Sequence, residues 1–208
     1  MFAIVESGSI TSMPKGNKGV TFGDIQYPKT IYTLWSEAER NAIGVYTVEI
    51  DKTNYKDPEW YSNTGITYAY DASANKVKGT HGTATARAHA DSLFTAQDET
   101  DGLGTEGELK DEGLKTKLIR QLKQEAQNIL SETDWYVVRK ADTAEAVPSS
   151  IATHRAAVRT KQASMDTAIT NASDTPALET LYAYVNTADE GETPVFERPL
   201  GDIPVKEF

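Results

Sequence analysis

Residues 109–160 read LKDEGLKTKLIRQLKQEAQNILSETDWYVVRKADTAEAVPSSIATHRAAVRT. Apolar residues at Leu114, Leu118, Ile119, Leu122, Ala126, Ile129 and Leu130 recur at the spacing of one helical stripe. Lys115, Lys117, Arg120, Gln121, Lys123, Gln124 and Glu125 fill the other positions as a solvated face. The helix ends at Leu130-Ser131-Glu132-Thr133-Asp134-Trp135, and a polar connector follows. Pro148 then suits the first turn of a second helix, where its missing N–H costs nothing. Ile151, Ala152, Ala156, Ala157 and Val158 continue that helix, and Met165, Ala168 and Ile169 extend it to about Asn171. The pattern predicts an antiparallel helical hairpin, with the large ring of Trp135 as a plug between its arms.

Outward from this hairpin, the expected class is α+β. Residues 1–78 read as a small, mostly antiparallel β-rich domain. Phe2, Ile4 and Val5 open it, and Gly8-Ser9 marks a turn. Ser36-Glu37-Ala38-Glu39 is a capping box, and the short helix it starts ends at Gly44. Val45 to Ile50 reads as a strand. Ile66 to Asp71 and Lys76 to Gly79 read as a hairpin turning at Ala72 to Asn75. Residues 79–108, rich in small and acidic residues, read as a linker. Residues 109–189 form the helical domain, with a further helix over Ala177 to Val185 capped by Asp174 or Thr175. Residues 190–208 hold Pro194, Pro199 and Pro204 and read as an extended tail. Its apolar points, Phe196 and Phe208 among them, would lie over a neighbouring subunit or back over the same chain.

The chain has 208 residues, 38% hydrophobic, with a formal net charge of -10. A phosphate backbone repels such a chain, so bulk nucleic-acid binding is not expected. The basic run Lys115, Lys117, Arg120, Lys123 reads as a solvated helix face. Cysteine is absent, which removes disulfides, thiolate metal sites and thiol nucleophiles. The start, Met1 to Glu6, lacks the features of a signal peptide, and no apolar run has the length of a membrane span.

Catalytic patterns fail on inspection. His81, His89 and His154 lie in no ligand triad of known metal spacing. The acidic run Asp98, Asp101, Glu106, Glu108, Asp111 and Glu112 lacks the register of a calcium loop. Gly102-Leu103-Gly104-Thr105-Glu106-Gly107 contains a GxGxxG string, but no strand precedes it and no helix opens on it. The expectation is a non-enzymatic protein with no cofactor and no metal. Tyr46, Tyr55, Trp60, Tyr61, Tyr68 and Tyr70 read either as sheet core with cross-strand pairs or as an exposed contact surface. Trp60 and Tyr61, after Asp57-Pro58-Glu59, are the contact candidates there; Trp135, Phe196 and Phe208 are the others.

Glu132-Thr133-Asp134-Trp135, Val147-Pro148 and His154-Arg155-Ala156-Ala157-Val158-Arg159 together resemble the C-terminal region of tail-fibre assembly chaperones and related tail-associated proteins of tailed bacteriophages. The resemblance spans Arg120 to Lys161, with His154 and Val158 where the family carries tyrosine and leucine. Trp35 to Val45 is a weaker echo of the family's N-terminal opening. The resemblance implies a virion structural protein of the tail, made in the host cytoplasm. Such a protein acts as an adaptor or as a fibre or baseplate attachment. Its partners are other phage tail or virion proteins, within a symmetric oligomeric assembly and without a membrane. The alternative it implies is an assembly chaperone absent from the mature particle; a third class, an enzyme acting on host polysaccharide, has no catalytic constellation to support it. If Trp135 fills the hairpin, Trp135→Ala costs about 3 kcal/mol or more of unfolding free energy.

Overall fold

Ser7 and Gly8 both hold positive φ, 51° and 81°, in a two-residue connection whose twist suits a tight hairpin. They join β1 (Phe2–Glu6) to β2 (Ser9–Ser12) in the computed structural model, which describes residues 1–205. The protein is α+β, an N-terminal sheet followed by helices. It divides into two compact units, Met1–Thr85 and the remainder from Ala86.

In the first unit β3 (Val20–Phe22) and β4 (Ile25–Tyr27) form a small hairpin, followed by α1 (Ile31–Leu34) and α2 (Glu37–Ala42). The Ser36–Glu39 capping box is present: Ser36 N–H donates to Glu39 Oε2 at 2.8 Å, and Glu39 N–H to Ser36 Oγ at 3.3 Å. Gly44, at φ +80°, ends the helix; a Cβ there would lie 2.5 Å from the Phe22 ring and 2.7 Å from the Val5 carbonyl oxygen. Next come β5 (Val45–Asp51), β6 (Tyr61–Ser62), β7 (Ile66–Asp71), β8 (Lys76–His81) and β9 (Thr85–Ala86). Five of these strands make one sheet in the order β2-β1-β5-β8-β7. Its pairings are antiparallel except β5 with β8, which run parallel in the register Val48↔Val77.

At β1 and β5 both faces of this sheet are covered, which explains the run of three consecutive buried residues Ala3, Ile4 and Val5, while at β7 and β8 one face stays exposed. Strand side chains alternate between faces. Ala3, Val5, Tyr46, Val48 and Val77 share one core with Tyr68 and Tyr70. Ile4 and Val45 share the other with Val20, Ile31 and Tyr32. The tyrosines in the first core pair across strands: Tyr46 and Tyr70 hydroxyls lie 3.2 Å apart and both donate to Asn75 Oδ1, in the turn of the β7–β8 hairpin. Burial, first, and the Tyr70 hydroxyl, second, push the Tyr46 phenol up to about 12.

In the second unit, β10 (Ser92–Leu93), α3 (Ala96–Thr100) and β11 (Leu109–Asp111) precede α4 (Leu114–Ser131), α5 (Asp134–Thr143), α6 (Ser149–Asn171) and α7 (Thr175–Tyr182). α4 buries Leu114, Leu118, Leu122 and Ala126. α6 buries Ile151, Arg155, Val158, Met165 and Ile169. The two helices run antiparallel: Lys115 reaches the Thr170 carbonyl at one end and Arg155 the Leu130 carbonyl at the other. The hairpin expected from sequence is therefore present, but its connector is itself a helix, α5. Asp174 caps α7 by accepting from Ala177 N–H at 2.8 Å.

The 79–108 segment, read from sequence as a linker, is built. β8 runs on to His81, so Gly79 belongs to the sheet, where a Cβ would meet Ile50, Tyr68 and Ile66 within 2.9 Å. The Asp91 carboxylate accepts from Gly113 N–H and Thr116 Oγ1 at 2.7 and 2.9 Å. It thus satisfies donors at the N-terminus of α4, where a negative charge is favoured. Residues 92–111 form an arm closed by Phe94 N–H to the Glu108 carbonyl and Gly107 N–H to the Phe94 carbonyl, both 2.9 Å. The GxGxxG glycines serve its turns: Gly102 and Gly107 hold positive φ, and a Cβ on Gly104 would strike the Phe94 ring at 2.5 Å.

The tail beyond residue 190 does not stay wholly extended. β12 (Val185–Asn186) pairs with β13 (Phe196–Glu197). Leu200 and Ile203 are buried, Leu200 N–H donates to the Leu181 carbonyl, and Lys161 Nζ donates to the Leu200 carbonyl. Leu200 and Ile203 thus lie back over their own unit, while Val195, Phe196 and Val205 stay exposed.

The arm carries a pH signature. The Lys110 ammonium, 2.7 Å away, holds the Asp98 carboxyl down to about 2, helped by the Thr95 N–H and hydroxyl. An unfolded aspartate titrates near ~3.9, so between those values the folded arm binds fewer protons than the unfolded one. The stability this group contributes is complete above about pH 4 and is lost as the pH falls toward 2. Amide protection factors at Thr95 and Gly107 should drop over that interval, and in Asp98→Asn they should show no such step.

Candidate interaction site

The junction singled out in the sequence is held by one guanidinium. Arg155 is 7% exposed, in the first half of α6. Its Nη1 donates to the Leu130 carbonyl and to Thr133 Oγ1, each at 2.7 Å, and its Nη2 to Asp134 Oδ1 at 2.8 Å. Thr133, 3% exposed, donates its own hydroxyl to the Leu130 carbonyl at 3.0 Å. A helix leaves its last carbonyls without intrahelical partners; here α4's final turn is satisfied from α6, 25 residues along the chain. The planar fork of arginine spans three acceptors where an ammonium would meet fewer. The two motifs noted separately in the sequence, Thr133-Asp134 and Arg155, are thus one structural unit.

Trp135 is not the plug. Its ring is 51% exposed. It stacks on Tyr136 with centroids 3.7 Å apart, and the Arg139 guanidinium sits 4.8 Å from its centroid. The hairpin end is filled by Arg155 and Thr133, so the ring is pushed to the surface. Sequence reasoning missed this because burial of a polar pair is legible only when its partners are known to meet.

α5 buries none of its ten residues. Val137 and Val138 are 44% and 66% exposed, and Ala141 is exposed. At 100° per residue, Trp135, Val138 and Ala141 share one side of the helix, and Val137 stands at the far margin of that stripe. Arg139 closes the stripe by pairing with Glu145 at 3.2 Å. The spacing Trp135–Val138–Ala141, with Asp134 in a first turn, was a helix signal available in the sequence. The reading as a polar connector passed over it.

The other candidates separate. Trp60 and Tyr61 are 5% and 4% exposed, which corrects the contact-surface reading in favour of core. Trp60 N–H donates to the Asp57 carbonyl, and the Lys56 ammonium lies 4.3 Å from the Tyr61 ring. Phe196 is exposed on the β12–β13 ribbon, together with Tyr184, Val185 and Val195. Phe208 lies outside the described residues.

Among the described residues no group of three histidine, aspartate or glutamate side chains is placed to hold a metal ion, and no helix is long and apolar enough to cross a membrane. His81 Nδ1 lies 3.2 Å from the Thr64 carbonyl, and its ring packs 5.1 Å from Tyr55. Much of the acidic run is engaged within the chain: Asp98 with Lys110, Glu112 with Arg120, and Ser92 on Asp111. Compared with protein families, characterised proteins and solved structures, the chain finds no match.

Truncation should rank these residues. Arg155→Ala removes three hydrogen bonds from the α4–α5 junction, to the Leu130 carbonyl, the buried Thr133 hydroxyl and Asp134, and should cost about 3 kcal/mol. Arg155→Lys should recover less than half of that. Trp135→Ala should cost about 1 kcal/mol or less, as for an exposed ring. Urea unfolding of the three variants checks the order, and a larger loss at Trp135 would restore the plug.

Proposed function

We propose that this chain is a non-enzymatic structural protein of a tailed-bacteriophage virion, tail-associated, that works as an adaptor or fibre or baseplate attachment through protein–protein contacts. The observation that carries the contact reading is α5, a ten-residue helix with no buried side chain. Helices of that length are marginal in water and normally gain their stability by packing an apolar face. This one starts at residues pinned by Arg155 and shows an aromatic and two valines outward. A face fixed in advance loses little conformational freedom when a partner covers it. The phage assignment rests on the resemblance of Glu132 to Trp135 and His154 to Arg159 to tail-associated proteins.

The second reading is a tail-fibre assembly chaperone that leaves the particle. It rests on the same resemblance, that of Glu132 to Trp135 and Arg155 to Arg159 to assembly chaperones. Both readings use α5 as the contact face and differ in whether the chain remains in the virion.

Quantitative mass spectrometry of purified particles separates them. Recovery in fixed ratio to the other tail proteins supports the virion component, and absence from particles made in cells that contain the chain removes it. In the first case Val138→Asp, a substitution at a 66% exposed position, should leave the fold intact. It should cut incorporation at least about tenfold, the effect of losing ~1.4 kcal/mol at a buried contact.

A further inference from the structure

The arm formed by residues 92–111 pairs an outward apolar face with dense negative charge. Leu93 on β10 and Leu109 on β11 are cross-strand partners. They are 53% and 52% exposed, and Leu103 in the connecting loop is 62% exposed. Inside the arm, Phe94 lies on Gly104 and under the Lys110 ammonium, 5.7 Å from its ring centre. Between Asp98 and Asp111 the sequence places six carboxylates and one ammonium. Such a surface repels nucleic acid and anionic lipid, and three leucines in water call for an apolar partner.

The same unit carries the complement. On α4, opposite the stripe Leu114, Leu118, Leu122 and Ala126, a shallow depression is lined by Thr116, Ile119, Arg120, Lys123, Gln124 and Gln127. Four cations fall between Gly113 and Gln124, with no carboxylate among them. Arg120 and Lys123 pair within the chain, to Glu112 and to Asp166 at 3.7 Å, yet their side chains are still 65% and 61% exposed. Ile119 is the apolar member of the depression.

We propose that the leucine-bearing acidic arm of one copy docks on the α4 depression of a second copy. The two surfaces are different patches, so the contact is head to tail. Each added copy presents one free arm and one free depression, and the assembly closes into a ring or continues as a filament. Opposite charge brings the copies together and sets their register, while Leu93 and Leu109 against Ile119 exclude water at the centre. The proposal deepens the protein-contact reading by naming one partner, and the purified chain alone reports on it. Its failure therefore leaves α5 and its virion partner untouched, and an absence from virions leaves it standing.

Sedimentation of the full-length chain tests this at about 50 mM and about 500 mM salt, a range over which surface charges pass from weakly to strongly screened. The mass should rise above 22.8 kDa with protein concentration, and the rise should shrink at the higher salt. The double variant Leu93→Ser, Leu109→Ser and the double variant Ile119→Ser, Lys123→Glu should each stay monomeric with unchanged circular dichroism. Mixed in equal amounts they should give a dimer and nothing larger, because one supplies the depression and the other the arm. A wild-type chain that stays monomeric, an arm variant that still associates, or a mixture that yields no dimer each overturns the proposal. Should one double variant lose its fold, the single charge swap Lys123→Glu still decides, through at least a tenfold weaker association or none.

Discussion

One guanidinium organises the helical unit. Arg155 reaches back across 25 residues to the Leu130 carbonyl and also takes Thr133 and Asp134. A buried cation is costly unless every donor finds an acceptor. Three of the Arg155 donors find acceptors, two on the α4–α5 junction and a third, Asp134, that is half in solvent. The consequence is directional. Because the interior end of the hairpin is occupied by a polar cluster, no room is left there for the neighbouring ring, and α5 begins with its apolar side uncovered.

The same division between inner polar scaffold and outer apolar display recurs in the arm. Its shape is set by the Thr95–Asp98 capping box, the Asp98–Lys110 pair and the Phe94–Gly104 contact. Leu93 and Leu109 pair across the ribbon and keep about half of their surface in solvent. Exposed ion pairs of this kind are individually weak, so their work is geometric: they hold a short β ribbon in one conformation. Two preorganised apolar surfaces on one small unit are what the proposed contact role requires.

Much of the architecture is legible in the sequence. The α4 stripe, the end of α6 at Asn171, the Ser36–Glu39 cap, Gly44 and the β7–β8 hairpin are all local, and the residues that specify them are neighbours in sequence. The misreadings share a cause. Residues 79–108 look like a linker by composition, because caps, turn glycines and ion pairs are made of the same small and acidic residues as disordered chain. Trp135 looks like core by residue type, and Trp60 and Tyr61, beside a proline turn, read either as core or as a contact surface. In each case exposure depended on what another segment had already filled.

By itself, the sequence determined periodicity, caps and turns, since these follow from side-chain spacing and backbone preference within a few residues. It also placed Thr133-Asp134 and Arg155 in the chain as two separate signals. Only the tertiary structure decided that these are one cluster, that the parallel partner of β5 is β8, and which aromatic and aliphatic side chains face water. Such outcomes depend on competition for a finite interior between groups far apart in the chain, and no local pattern records who wins.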